Sequence, residues 1–220
     1  MDKIEAILNY SHRLYQFGFL AATDGNVSAR DEEGNIIITR SGVCKGDLKK
    51  EDLLVTDLQG RLLRGSGKLS TETLMHLTIY ENRPDINAVV HAHPVSVNAA
   101  VLSGTDLDKP YFPEVILTLG RIPVCRYATP STPDLSKSLM PYIEYASVFL
   151  LENHGAVATG KNVKEAYFRM ERLEHYARTI LAASVGGRWH KTLPPDKLRE
   201  LYEISGSTYG ITLHPKNKYA

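Results

Sequence analysis

The chain has 220 residues, 43% hydrophobic and 23% charged, an ordinary globular composition with enough length to bury a substantial core. Lys and Arg total 26 against 25 Asp and Glu, a net charge of +1, so the overall balance points to neither a nucleic-acid nor a membrane partner, and any anionic ligand must be held locally. Cys44 and Cys125 lie far apart, outside any metal-type spacing, and no segment has the apolar run of a signal peptide or membrane span; a single-domain, soluble, cytoplasmic protein with reduced thiols is expected.

Ile4, Ile7, Leu8, Leu14 and Tyr15 recur at helical spacing, which predicts an amphipathic helix over about 2–18, ended by Gly18. Thr23 to Ser28 begins as a turn and becomes a strand, and Asn35 to Thr39 returns after Asp31-Glu32-Glu33-Gly34 as its hairpin partner. A second hairpin is predicted from Leu53–Thr56 and Arg61–Leu63 around Asp57-Leu58-Gln59-Gly60. Ser70 is a good N-cap for a helix from Thr71 to about Asn82, with Glu72 in its first turn, and Arg83-Pro84 closes it.

Ala88 to His93 reads as a buried strand that Pro94 terminates. A helix over Val95–Leu102, a loop over 105–113, and short strands at Val115–Leu119 and Ile122–Tyr127 follow. The remaining pattern is a helix over Pro133–Tyr142, an apolar strand at Val148–Leu151, a strand over Ala156–Gly160, a long helix from Val163 to about Ser184 ended by Gly186-Gly187, and a last helix around Leu198–Ile204 before a polar tail. Hairpins exclude a purely parallel sheet.

In a strand, residues i and i+2 leave the same face, so His91 and His93 present two imidazoles close enough to hold one ion. The apolar strand at 148–151 also runs into a histidine, His154, which is the natural third ligand. Three neutral imidazoles leave a divalent ion with its charge uncompensated and a position open, the arrangement of a catalytic rather than a structural zinc site, and Glu72 is available as a fourth group. The other histidines, at 12, 76, 175, 190 and 214, are read as surface or packing residues, His76 standing one helical turn after Glu72. A helix start bearing Ser70 and Thr71, with glycine backbone at Gly25-Asn26 and Ser41-Gly42, suggests an anion pocket.

Carried by Gly25-Asn26-Val27-Ser28-Ala29-Arg30, Thr39-Arg40-Ser41-Gly42, Leu69-Ser70-Thr71-Glu72, His91-Ala92-His93, Tyr127-Ala128-Thr129 and Asn153-His154-Gly155, the sequence resembles the class II aldolase/adducin family, in particular its fuculose-phosphate aldolases. The resemblance implies an α/β three-layer sandwich with a central mixed, mostly antiparallel sheet flanked by helices. It implies Zn2+, or another divalent ion such as Mn2+ or Co2+, on His91, His93 and His154, with Glu72 as ligand and acid/base group. It implies that Gly25, Asn26, Ser41, Gly42, Ser70 and Thr71 bind the phosphate of a small phosphorylated sugar, in a homotetramer with interfacial sites. The family's aromatic proton donor falls at Tyr111 or Phe112, and Tyr209 matches a further substrate-side tyrosine; Pro130 stands where the fuculose-phosphate aldolases have phenylalanine. The implied activity is retro-aldol cleavage of a ketose 1-phosphate to dihydroxyacetone phosphate and an aldehyde. Epimerase, dehydratase and decarboxylase chemistries of the same family, and a non-enzymatic adducin-like module, are the alternatives.

Overall fold

The two faces of the strand at Ala88–Ala92 are both buried, yet against different partners, and this strand sets the architecture. A computed structural model of the protein describes residues 2–187 and 191–219. Its strands are β1 (Asn26–Arg30), β2 (Ile36–Thr39), β3 (Leu53–Thr56), β4 (Leu62–Arg64), β5 (Ala88–Ala92), β6 (Val124–Cys125), β7 (Val148–Leu151) and β8 (Gly155–Gly160). Its helices are α1 (Lys3–Gln16), α2 (Thr73–Asn82), α3 (Val95–Leu102), α4 (Pro113–Thr118), α5 (Pro133–Ile143), α6 (Val163–Ser184) and α7 (Pro195–Tyr209). The strands form one sheet in the order β4-β3-β2-β1-β5-β8-β7-β6, antiparallel throughout except for the β6–β7 pair.

Val89 on β5 packs with Ile36, Ile38, Leu54, Phe149 and Val157 beneath α2 and α5. Ala88, Val90 and Ala92 point the opposite way, with Val27, Ala29, Ala156 and Ala158, into a second core roofed by α1, α3 and α6. Alternate side chains therefore feed two cores and give the three-layer sandwich with a mixed, mostly antiparallel sheet. The register places Asn26 of β1 and Val157 of β8 on either side of His91, so the carboxyl ends of β5 and β7 and the amino ends of β1 and β8 meet at one edge.

The helix ends at Gly18 and Gly187 hold, both glycines having positive φ (73° and 64°). Three expectations are corrected. Residues 115–119 are not a strand: Pro113 sits in the first turn of α4, its fixed φ favouring helix entry, and Val115, Ile116 and Leu117 are buried by helix packing, not strand pairing. The strand expected over Ile122–Tyr127 shrinks to Val124–Cys125. Ser70 does not cap α2. The helix starts at Thr73 with Glu72 in the cap position, because Ser70 closes the preceding turn, its carbonyl accepting from Thr73 N–H (3.0 Å) and its hydroxyl from Glu72 N–H (3.3 Å). The polar tail also packs back, Tyr219 donating its hydroxyl to the Gly120 carbonyl and Asn217 its amide to that of Leu119.

Candidate functional site

At the shared edge the β5 alternation carries His91 and His93 out on the α2 side. His93 N–H is pinned to the Phe19 carbonyl at 2.9 Å before Pro94 turns the chain into α3. His154 arrives on the turn between β7 and β8, where Asn153 adopts φ 55° and Gly155 lies so close that a Cβ would sit 2.5 Å from the Ala92 carbonyl and 2.6 Å from the His93 ring. A residue with a side chain there would push the histidines apart. Glu72 reaches the same point from the start of α2.

The donor set fits a divalent ion. His91 Nε2 lies 3.2 Å from His93 Nε2, Glu72 Oε2 lies 3.3 Å from His91 Nε2, and Glu72 Oε1 lies 3.0 Å from His154 Nε2. The three imidazoles offer ligand atoms all within 4.8 Å of one another. Metal–ligand bonds of about 2.0–2.1 Å at tetrahedral angles put neighbouring ligand atoms roughly 3.3 Å apart, close to these separations. His91 Nδ1 lies 3.0 Å from the Ala156 carbonyl; donating its hydrogen there leaves the Nε2 lone pair aimed at the cluster. A converging set of imidazole lone pairs and a carboxylate is a donor set suited to a cation.

Burial raises the proton affinity of Glu72, but electrostatic interaction with His91 and hydrogen bonding with His154, His91 and Asn26 outweigh it and hold the carboxyl well below the usual range. Desolvation, with repulsion from His91 and His154, pushes the His93 pKa down to about 4, so its imidazole is neutral at pH 7.

A cavity of about 290 Å³ opens above this cluster, and all six predicted phosphate residues, Gly25, Asn26, Ser41, Gly42, Ser70 and Thr71, line it together with Glu72, His93 and His154. Gly25 adopts φ 68°, and a Cβ there would stand 2.7 Å from the His91 carbonyl. Not every expected donor is free. Ser41 N–H is bonded to the Lys68 carbonyl (2.9 Å), and the Asn26 amide nitrogen is directed at Glu72 (2.8 Å) and Ser70 (3.1 Å).

Sequence reasoning missed Arg40 and Lys45, two cations that line the same cavity. Arg40 is paired with Asp52 at 2.7 Å. Lys45 is fully buried, its ammonium bonded to the Thr23 carbonyl (2.9 Å) and the Val43 carbonyl (2.8 Å), so it ties together the loops that carry Gly25 and Ser41. Burial lowers its pKa, an effect opposed by Cys44, Asp24 and Glu72. The available signal was a lysine three residues after a glycine already assigned to an anion pocket.

Tyr111, Phe112 and Tyr209 do not line the cavity. Tyr111 and Phe112 pack against the α6-side core, the Phe112 ring 5.9 Å from that of Tyr176. Tyr209 is the exposed last residue of α7, and the next residue, Gly210, lines a cleft with Lys161, at the opposite end of β8 from His154. Among the other histidines, His12 bonds the Leu48 carbonyl, His175 lines a cleft along α6 and His214 accepts from Lys216 N–H. His190 lies outside the described residues.

Residues 5–181 match the family described as Class II Aldolase and Adducin N-terminal domain. The 3-oxo-tetronate 4-phosphate decarboxylase of Pectobacterium atrosepticum is 36% identical over 191 residues, 85% of this chain and 86% of that protein. The L-fuculose phosphate aldolase of Methanococcus maripaludis is 38% identical over 167 residues, 75% of this chain and 88% of that one. Among solved structures, YgbL of Klebsiella pneumoniae superposes with a TM-score of 0.84 at 32% identity, over 90% of this chain and 97% of its own.

Proposed function

The chain belongs to the class II aldolase and adducin family, and from that premise we propose that it is a divalent-metal lyase that breaks the carbon–carbon bond between the α- and β-carbons of the carbonyl of a small phosphorylated sugar or sugar acid, releasing dihydroxyacetone phosphate. One observation carries this reading: three imidazoles and a carboxylate converge on the floor of a cavity whose rim offers glycine backbone, hydroxyls and two cations. His91, His93 and His154 would hold the ion, zinc by preference with Mn2+ or Co2+ as alternatives. When bound, it supplies Lewis-acid polarisation of the carbonyl and compensates the developing oxyanion.

The protein's own groups do the rest. Ser70, Thr71, Gly25 and Gly42 orient the phosphate, with Lys45 and Arg40 matching its charge. Glu72, beside two of the imidazoles, returns a proton to the carbon left behind when the bond breaks.

Two leaving groups are compatible with this cavity. Loss of the carboxylate carbon of 3-oxo-tetronate 4-phosphate gives CO2, and cleavage of a ketose 1-phosphate gives an aldehyde; the remaining fragment is the same phosphorylated three-carbon ketone. Aldehyde release also requires removal of a hydroxyl proton, whereas CO2 leaves without a base. Glu72 is the carboxylate beside two of the imidazoles, Asp24 lies 3.6 Å from His93 Nδ1, and among the described residues no tyrosine lines the cavity, which favours decarboxylation. Retro-aldol cleavage, the activity implied by the sequence motifs, is the second reading, favoured by the similarity to the archaeal aldolase. It gains a proton donor if Tyr111 or Tyr209 reaches the cavity from a neighbouring copy of a homotetramer. Metal-loaded protein supplied with each substrate, with dihydroxyacetone phosphate and CO2 both measured, decides between them. Equal yields of the two from the sugar acid support decarboxylation, faster turnover of a ketose 1-phosphate supports the aldolase, and no product from either refutes the lyase reading. Light scattering at four chains per particle tests the tetramer.

A further inference from the structure

A chain of buried polar groups leaves the site and runs into the core beneath α2. Ser28 follows Asn26 by two residues on β1 and shares its face, while His76 and Tyr80 stand one turn apart on α2 above them. Ser28, His76 and Tyr80 are at most 1% exposed. His76 Nε2 meets Asn26 Oδ1, His76 Nδ1 lies 2.7 Å from Ser28 Oγ, and Ser28 Oγ lies 2.8 Å from the Tyr80 hydroxyl.

The direction of every hydrogen bond follows from one end. A carboxylate only accepts, so the Asn26 atom facing Glu72 at 2.8 Å is the amide nitrogen and the other is the carbonyl oxygen. That oxygen also only accepts, so His76 carries its hydrogen on Nε2. Burial keeps the ring neutral, its pKa pushed down to about 3, which leaves Nδ1 bare to accept from the Ser28 hydroxyl. Ser28 then accepts from Tyr80. The polarity runs Tyr80 to Ser28 to His76 to Asn26 to Glu72, and reversing the amide would set two acceptors face to face at Glu72.

We propose that His76 is a positioning residue for the reaction: it fixes the Asn26 amide so that its N–H is always presented to Glu72, and so holds the Glu72 carboxylate aimed at the metal-binding histidines. The catalytic consequence rests on the reading of Glu72 as the acid/base group; the hydrogen-bond direction does not.

The test has two arms. In the metal-free wild-type protein, ¹⁵N NMR should find His76 as the Nε2–H tautomer, unchanged from about pH 5 to 8; the Nδ1–H tautomer or an imidazolium would overturn the assignment whatever the substrate proves to be. In the metal-loaded enzyme, His76→Leu should lower kcat by about 10- to 100-fold, the range for losing an outer partner of a metal site, with KM changed less than about threefold. His76→Gln, which keeps a donor toward Asn26, should recover most of that loss and serves if the leucine variant does not fold. Adding His76→Leu to Asn26→Ala should slow the enzyme no further than Asn26→Ala alone, because the histidine acts through the asparagine. If the His76 and Asn26 effects multiply independently, His76 is only a packing residue.

Discussion

Replacing Glu72 by glutamine exchanges one carboxylate oxygen for an amide nitrogen at nearly constant volume. The surrounding contacts dictate how the new side chain must sit. Asn26 presents an N–H to Glu72 Oε2 at 2.8 Å, so the glutamine oxygen has to take that place, and its NH2 falls where Oε1 now lies 3.0 Å from His154 Nε2. The variant can neither accept nor return a proton, a role worth about 10²- to 10⁴-fold, or roughly 3–5 kcal/mol of transition-state stabilisation. His91, His93 and His154 remain, so about one metal ion per chain should be retained. Elemental analysis and kcat on the same preparation, at saturating metal, provide the comparison. Wild-type turnover by metal-loaded Glu72→Gln would refute the reasoning and leave Glu72 as an acidic residue at a helix start.

His154→Ala removes one of three imidazoles and should take metal content from about one ion per chain to near zero; unchanged content by elemental analysis would move the site elsewhere. Lys45→Met deletes a buried charge that joins two cavity loops, and it should weaken binding of inorganic phosphate by about tenfold, or 1.4 kcal/mol, as read by calorimetry on folded, metal-loaded protein. Gly155→Ala places a methyl 2.5 Å from the Ala92 carbonyl and 2.6 Å from the His93 ring, so it should cost about 1–3 kcal/mol of stability and weaken metal affinity in competition with a chelator. Equal denaturation midpoints and metal affinities in variant and wild type would contradict that packing.

The clustering of His91, His93 and His154 was legible in the sequence because it depends on local periodicity. Alternation along a strand puts His91 and His93 on one face whatever surrounds them, and an apolar strand running into Asn153-His154-Gly155 announces a second ligand-bearing tip. The hairpins excluded a parallel sheet for the same local reason. The segment at 115–119 was illegible because a five-residue apolar run fits a buried strand as well as a buried helix, and packing against α6 and α7 selects the helix. Only the tertiary structure could reveal that His76, read from its helix as surface or packing, lies across from Asn26, 50 positions away in the chain, or that Lys45 is buried between two loops 22 residues apart at its bond to Thr23. Such contacts are set by sheet register and by the helix docked over it, and no sequence periodicity encodes them. The sequence by itself determined which residues could bind a metal and, through its motifs, the family; the fold decided which groups orient them, and it set Tyr111 and Tyr209 away from the cavity of their own chain, because side-chain direction at long range follows from packing.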